Sequence, residues 1–419
     1  MIRTIDRVFG LPAGLPALLR SNIIHYYWDI AWWGLYTGSL ASFLGIYATR
    51  IGATPAQLGL MTALPAGFTL LLALPFAGVV RRMSAYRATW ISALLGRAPL
   101  LIFVVLPTFL DHSSQVVAII VLSLLLAIPN TLIGIAFPHL FIEAVTPEWR
   151  STVVSTRTAI LSILGFIIAM GCGQILTRIA FPTGYQVVFF LGFVGAVITT
   201  YHLYTIHPLP ANPTDPTESP LEPAPAPERK AFIHLPSRAG QGGVYIRVLI
   251  TMSCFHMAAN MVSPLIPGLL VNKLILSDGW ISLGTALNSL VVFAISLFIS
   301  RLTVRTGNRT ASAIGALLYA VQGIFLYLMF SPFTYLLAVL TGSLGTGVLS
   351  TALYNFNLEN VPNDDRSTWL SWSSLAGNAG VLAGVLIGPQ LAGLITTPNA
   401  ILVIAAARLL AAVLIYRWH

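Results

Sequence analysis

"EAVTPEWRSTVVS" (143–155) and "ENVPNDDRSTWLS" (359–371) agree at Glu, Val, Arg, Ser, Thr and Ser without a gap. Each lies between two long apolar runs. A second pair, "TPAQLGLMTAL" (54–64) and "SDGWISLGTAL" (277–287), ends in the same Leu-x-Thr-Ala-Leu. Thr54 and Ser277 open these segments as natural N-caps, followed by Pro55 or Asp278 in the favourable first turn. Two matches at corresponding places read as an internal duplication.

Composition says what is duplicated. Hydrophobic residues make up 56% of the 419 residues and charged ones only 8%, against about 25% in ordinary soluble chains. So few charges cannot cover the surface of a soluble fold this large, so the chain is an integral membrane protein. A span needs roughly 20 apolar residues at 1.5 Å each. That ruler gives 22–49, 56–80, 88–109, 114–142, 153–177 and 184–206, then 244–271, 279–301, 310–330, 332–358, 367–396 and 398–416. The runs are too long and continuous for barrel strands. The expected fold is an all-α membrane protein with twelve transmembrane helices in two pseudo-symmetric six-helix bundles, 22–206 and 244–419. Residues 1–21 form a cytoplasmic N-terminal segment, read as an interfacial amphipathic helix. Residues 207–243 carry nine prolines and read as an extended cytoplasmic linker.

The net charge of +9 sits in short clusters between apolar runs and not in a basic stripe with stacking aromatics, which excludes nucleic acid as a partner. With both termini cytoplasmic, nearly all bases fall inside, Arg157 counted among them, and only Arg50, Arg178 and Lys273 fall outside. That is the asymmetry of the positive-inside rule for a multi-pass protein of the cytoplasmic membrane. Cys172 and Cys254 each stand in an apolar run without metal-ligand spacing, so neither a metal nor a cofactor is expected. Lys230 and Lys273 do not follow glycine, so no Gly-x-x-x-x-Gly-Lys phosphate loop exists.

The short loops sharpen this picture. "GVVRRMSAYR" (78–87) joins the second and third spans, and "SRLTVRTGNR" (300–309) joins the eighth and ninth. With these loops the chain resembles the major facilitator superfamily over essentially its whole length. That family's loop carries Gly-x-x-x-Asp-Arg-x-Gly-x-Arg. Gly78 and Arg87 are kept, with Arg82 where the acid belongs; Arg305, Gly307 and Arg309 are kept, with Val304 at the acidic position. In the eleventh span "GVLAGVLIGPQLAG" (380–393) sets glycines at four-residue spacing, a smooth face for close packing. The resemblance implies alternating access between the halves, with spans 1, 4, 7 and 10 lining a central path.

The polar residues of the spans supply candidates. Asp29 is the one acid well inside a span, roughly 13 Å along the helix from Arg20. A carboxylate there must be paired, hydrated or protonated. Its stripe includes Asn22, His25, Tyr26, Trp33 and Tyr36, expected to line the cavity. Ser253, His256, Asn260 and Ser263 in span 7, Asn130 in span 4, and Tyr354 or Asn355 in span 10 complete that lining. Arg97 lies at much the same depth as Asp29, so either Asp29 carries protons or the two neutralise each other. At the cytoplasmic ends Glu143 precedes Arg150 and Glu359 precedes Arg366; with Arg82, Arg87, Arg305 and Arg309 they form a candidate gate. The reading that follows is a monomeric, proton-coupled secondary transporter of a small molecule, with efflux ahead of uptake. Flipping of a lipid or amphiphile stays open as an alternative, and a membrane-embedded transferase or a non-transporting sensor ranks below it.

Overall fold

The computed structural model describes residues 14–210, 241–362 and 366–417. The N-terminal segment before 14 and the linker between 211 and 240 lie outside the described residues. Within them the chain is helical, and the helices are numbered here in chain order. α1 runs Ala17–Tyr36, passes through a π turn at Thr37–Ala41 and continues as Ser42–Arg50. α2 is Pro55–Arg82; α3 is Ala85–Arg97 extended by Leu100–Phe109; α4 is His112–Ala144; α5 is Pro147–Arg178; α6 is Thr183–Thr205. α7 runs Gln241–Asn260, breaks, and resumes through Ser263–Leu265, Ile266–Gly268 and Leu269–Lys273. The stretch Asp278–Tyr327 is two helices, α8 and α9, parted at Gly307 by a φ of 77°. α10 is Pro332–Asn360, α11 Arg366–Ile395 and α12 Thr397–Arg417. The twelve expected spans are all present. α1 begins at Ala17, earlier than the expected 22.

Local chemistry accounts for many boundaries. Thr54 closes a capping box with Gln57 and is followed by Pro55 at the first helical position, which satisfies two free N–H groups at once. Ser277 holds the corresponding N-cap position, but its side chain makes no capping bond. Gly307 takes the left-handed conformation that only glycine enters cheaply, so the chain reverses there without a loop.

The helices form two bundles, joined where α2 meets α11 and where α5 meets α8. Small residues allow the contact. A Cβ on Gly59 of α2 would stand 2.7 Å from the Val385 carbonyl of α11, and one on Gly173 of α5 would stand 2.6 Å from the Ser282 Cβ of α8. The glycine stripe of α11 works within its own bundle, where Gly380, Gly384 and Gly388 lie on the backbone carbonyls of Ser253, Met257 and Met261 of α7.

The apolar cores show how the bundles meet. At the end away from the linker one core crosses the interface, with Leu40, Phe43 and Leu58 of the first bundle packed among Val262, Leu265 and Leu269 of the second. At the linker end, among the described residues, smaller cores around Val80 and Ile299 each stay within one bundle, and so do two larger ones. One, around Tyr26, Leu140 and Val153, belongs to the first bundle; the other, around Tyr245, Phe255 and Leu353, belongs to the second. The bundles are fused at the far end and parted at the linker end.

Any side chain at Gly384 must displace α11 from α7. Gly384→Ala is expected to cost about 1–3 kcal/mol, read as a drop of several degrees in the thermal midpoint of detergent-purified protein. Gly171→Ala, whose Cβ meets nothing within 4 Å, should leave the midpoint unchanged.

A neutral cavity and its flanking charge clusters

Both helices that bend sharply, α1 and α7, do so at one place in the duplicated pattern. In the register that sets 54–64 on 277–287, the π turn Thr37–Ala41 falls on Asn260–Pro264, the break in α7. Where a helix bends at membrane depth, the freed backbone groups need partners from the protein. In α7 they come from Arg408 of α12, which is fully buried. Its guanidinium donates to the carbonyls of Ala258 (3.1 Å), Ala259 (2.6 Å) and Tyr319 (3.1 Å), and to Oε1 of Gln322 (3.1 Å). The cation thus caps the C-terminal end of the first α7 segment, where carbonyls are unpaired and the helix dipole is negative.

The two bends face a cavity of about 590 Å³ between the bundles. Ala41 and Ser42 at the end of the π turn, and Ser263 and Pro264 at the end of the break, contribute to its wall. α2, α4, α8, α9 and α10 supply the rest, with Thr62, Ser123, Asn288, Gln322 and Ser343 as polar members. Among the described residues, the wall contains no Asp, Glu, Lys, Arg or His. Its size suits a small molecule.

Of the residues expected from sequence to line a cavity, Ser263 touches this one and the others do not. His25 turns to α6, where its Nδ1 lies 2.9 Å from Nδ1 of His202. Asn22 ties α1 to the carbonyls of Ala144 (3.0 Å) and His207 (2.8 Å). Tyr26 is fully buried, and its hydroxyl has no hydrogen-bond partner among the described residues. Asn130 is exposed on α4 against Gly96 of α3. His256 packs on Gly377 and Gly380 of α11, and Asn260 donates to the His256 carbonyl. Tyr354 is 62% exposed and Asn355 half-buried; Tyr354 stands three turns along α10 from Ser343, on the face that lines the cavity.

Asp29 has a different partner from the one expected. Its carboxylate is 97% shielded at 3% exposure and accepts from Nη1 of Arg157 at 3.0 Å. The same nitrogen reaches the Tyr26 carbonyl at 2.6 Å, and the guanidinium lies over the rings of Tyr26 (5.3 Å) and Phe137 (5.2 Å). Arg157 was grouped with the loop bases, but α5 begins at Pro147 and carries it roughly 15 Å into the bundle. Arg97 donates instead to Thr200 Oγ1 at 3.3 Å and lies over Trp33 at 5.1 Å; Trp33 in turn packs on Tyr36 at 4.5 Å. One carboxylate therefore serves a region with two buried guanidinium groups.

The expected gate at the linker end is also wired otherwise. Arg150 caps its own corner, donating to the carbonyls of Val145 (3.0 Å) and Ile142 (2.8 Å), not to Glu143. Glu143 is exposed and Glu359 accepts from Asn308 at 2.6 Å. Arg82, Arg87 and Arg305 are exposed, and Arg309 donates to the Tyr416 carbonyl. Arg366 opens α11, with its side chain outside the described set. Each recorded bond stays inside one bundle. The cross-bundle ion pair is at the opposite end: Arg50 donates to Asp278 Oδ1 at 2.7 Å and to the Leu276 carbonyl at 3.0 Å, while Tyr185 donates to Asp278 at 2.7 Å. Arg50 was visible as one of three far-side bases and Asp278 as a first-turn acid, yet nothing in one sequence pairs residues so far apart.

Removing the charge of Asp29 leaves Arg157 and Arg97 buried without a counter-charge, an arrangement that costs about 3–5 kcal/mol. Asp29→Ala should therefore unfold at markedly lower temperature, and Asp29→Leu combined with Arg157→Leu should recover most of the loss. Recovery with Arg97→Leu in place of Arg157→Leu would mean that the other arginine is the partner.

Residues 248–419 match the family model described as Major Facilitator Superfamily. No curated protein matches the sequence. Among solved structures, the inward-open xylose transporter XylE from E. coli superposes with a TM-score of 0.70 at 14% identity, covering 96% of each chain. The nucleoside transporter NupG gives 0.65 at 12% identity, with 96% of this chain and 100% of that one covered. A bacterial homologue of the iron transporter ferroportin, in the inward-facing state, gives 0.66 at 15%, with 100% and 99% covered.

Proposed function

We infer that this chain is a member of the major facilitator superfamily, whose family model its residues 248–419 match and on whose solved structures its fold superposes. It is a secondary transporter that moves a small molecule across the membrane by alternating access. One observation supports this reading most: a cavity between two bundles that share a core at one end and keep separate cores at the other. Such an arrangement has a second state of comparable packing, in which the shared and parted ends exchange.

The linker end faces the cytoplasm, by the distribution of basic residues. The conformation described is then inward-facing, and Arg50, Asp278 and Tyr185 latch the outer end. Opening outward must break this latch. In a Cys172→Ser, Cys254→Ser background carrying Ser263→Cys in the cavity, Asp278→Ala should raise labelling by an impermeant maleimide added outside several-fold. Equal labelling with and without Asp278 would remove the latch from the mechanism.

The position of Asp29 supports proton coupling. Asp29 is an acid paired with a cation on α5, the helix that meets α8 of the other bundle, and exchange of Arg157 for a proton would tie the charge state to bundle rearrangement. The ion pair itself also supports a purely structural role. The two readings differ in flux: if Asp29 couples, Asp29→Asn in proteoliposomes keeps exchange of bound substrate but loses its response to an imposed pH gradient. An unchanged gradient response sinks the coupling role and leaves the structural one. The polar wall of the cavity favours a soluble substrate over an acyl chain.

A further inference from the structure

The chemistry of the cavity wall specifies more than size. A charged ligand brought into a low-dielectric site needs an opposite charge or it loses several kcal/mol of hydration, and this wall offers none. Several of its hydroxyls, moreover, have spent their protons. Ser42 donates to the Thr37 carbonyl (2.7 Å), Ser123 to Ile119 (2.8 Å) and Thr285 to Ile281 (3.2 Å). A hydroxyl so engaged presents only lone pairs to the cavity.

The amides differ: Asn288, whose Oδ1 accepts from Ser343 Oγ at 2.8 Å, and Gln322 both keep an NH₂ donor, and that of Gln322 is the more firmly oriented. Arg408 can only donate, so the atom 3.1 Å from its Nη1 must be the amide oxygen. The flip of the amide is therefore fixed by chemistry, and its NH₂ group is the end left for other partners. That group lies against Gly342, where any Cβ would collide with it. Arg408 cannot relax away, since three backbone carbonyls hold it.

We propose that the cavity binds an uncharged, hydroxyl- or N–H-bearing solute whose carbonyl or ether oxygen accepts from the Gln322 amide, with Arg408 acting as the positioning residue that orients this amide. The proposal rests on the transporter reading for its site but not for its test. Gln322 selects an acceptor, the surrounding hydroxyls select donors, and the absence of ionic groups rejects the charged relatives of the same molecule. Nucleosides and pentoses have this balance of groups; their phosphates and acids do not.

The test uses the full-length purified protein and matched probes, uridine against uridine monophosphate and xylose against xylonate. At millimolar concentration at least one neutral probe should raise the thermal midpoint by several degrees, while its charged relative leaves it unchanged. Gln322→Glu keeps the shape and the bond to Arg408 but turns the donor into an acceptor. It should abolish the shift by the neutral probe without lowering the midpoint of the unliganded protein. Gly342→Ala, which pushes the amide aside, should weaken binding at least tenfold. A shift by the charged member, by neither neutral probe, or one that survives Gln322→Glu would overturn the proposal. Counterflow in proteoliposomes separates the two readings. A neutral probe that binds through Gln322 but is never moved refutes transport alone. A charged probe that is moved, with neither neutral probe bound, refutes the ligand class alone.

Discussion

A bent helix inside a membrane leaves carbonyls that water cannot reach, and the rest of this molecule is arranged around that constraint. α7 breaks after Asn260, and the cation that answers the break comes from the last helix of the chain. Arg408 is long enough to reach two helices and planar enough to serve four acceptors, which a lysine ammonium on a flexible stem could not do in one geometry. Because it also meets Gln322, the same side chain that repairs the backbone reaches the cavity wall. The break, its repair and the wall of the cavity form one connected unit.

Close packing by glycine is the second support. α11 lies directly on the backbone of α7 through Gly380, Gly384 and Gly388, so the broken helix is held along its length while its far segment bends into the cavity. α1, its counterpart, relies on Gly34 and Gly38 against Leu164 and Ile168 of α5. Lipid offers helices no hydrophobic reason to associate, so fit between backbones takes over that role. Both bent helices accordingly rest on glycine contacts.

The helix count, the duplication and the packing role of the α11 glycines were legible in the sequence, because each depends on a periodic or repeated pattern along the chain. The sites were not, for a shared reason. Asp29 stood out as an acid in an apolar run, but its partner Arg157 resembled a loop base until α5 was seen to begin at Pro147. The partners of Arg408 are mostly backbone carbonyls, which every residue has and no sequence marks. The polar stripe of α1 suggested a cavity face, whereas the π turn at Thr37–Ala41 shifts the register, so that residues after it line the cavity and those before it face neighbouring helices. Gln322 and Asn288 were ordinary-looking amides among many small polar residues. Chemistry that depends on register or on distant pairing does not appear in a single chain read linearly.

The lopsided core has an energetic meaning of its own. At the linker end Leu297 and Phe298 of α8 are 60% and 57% exposed, and Val154 of α5 is 51% exposed, on the same two helices that meet at the other end. Apolar burial scales with area at about 25 cal/mol per Å², so prising apart the fused end without covering these residues would be steeply uphill. If a rocking motion covers them as it uncovers the others, the loss and gain nearly cancel. The two bundles then behave as a balance with apolar weight on both pans, on which a bound solute or a few polar contacts suffices to decide the tilt.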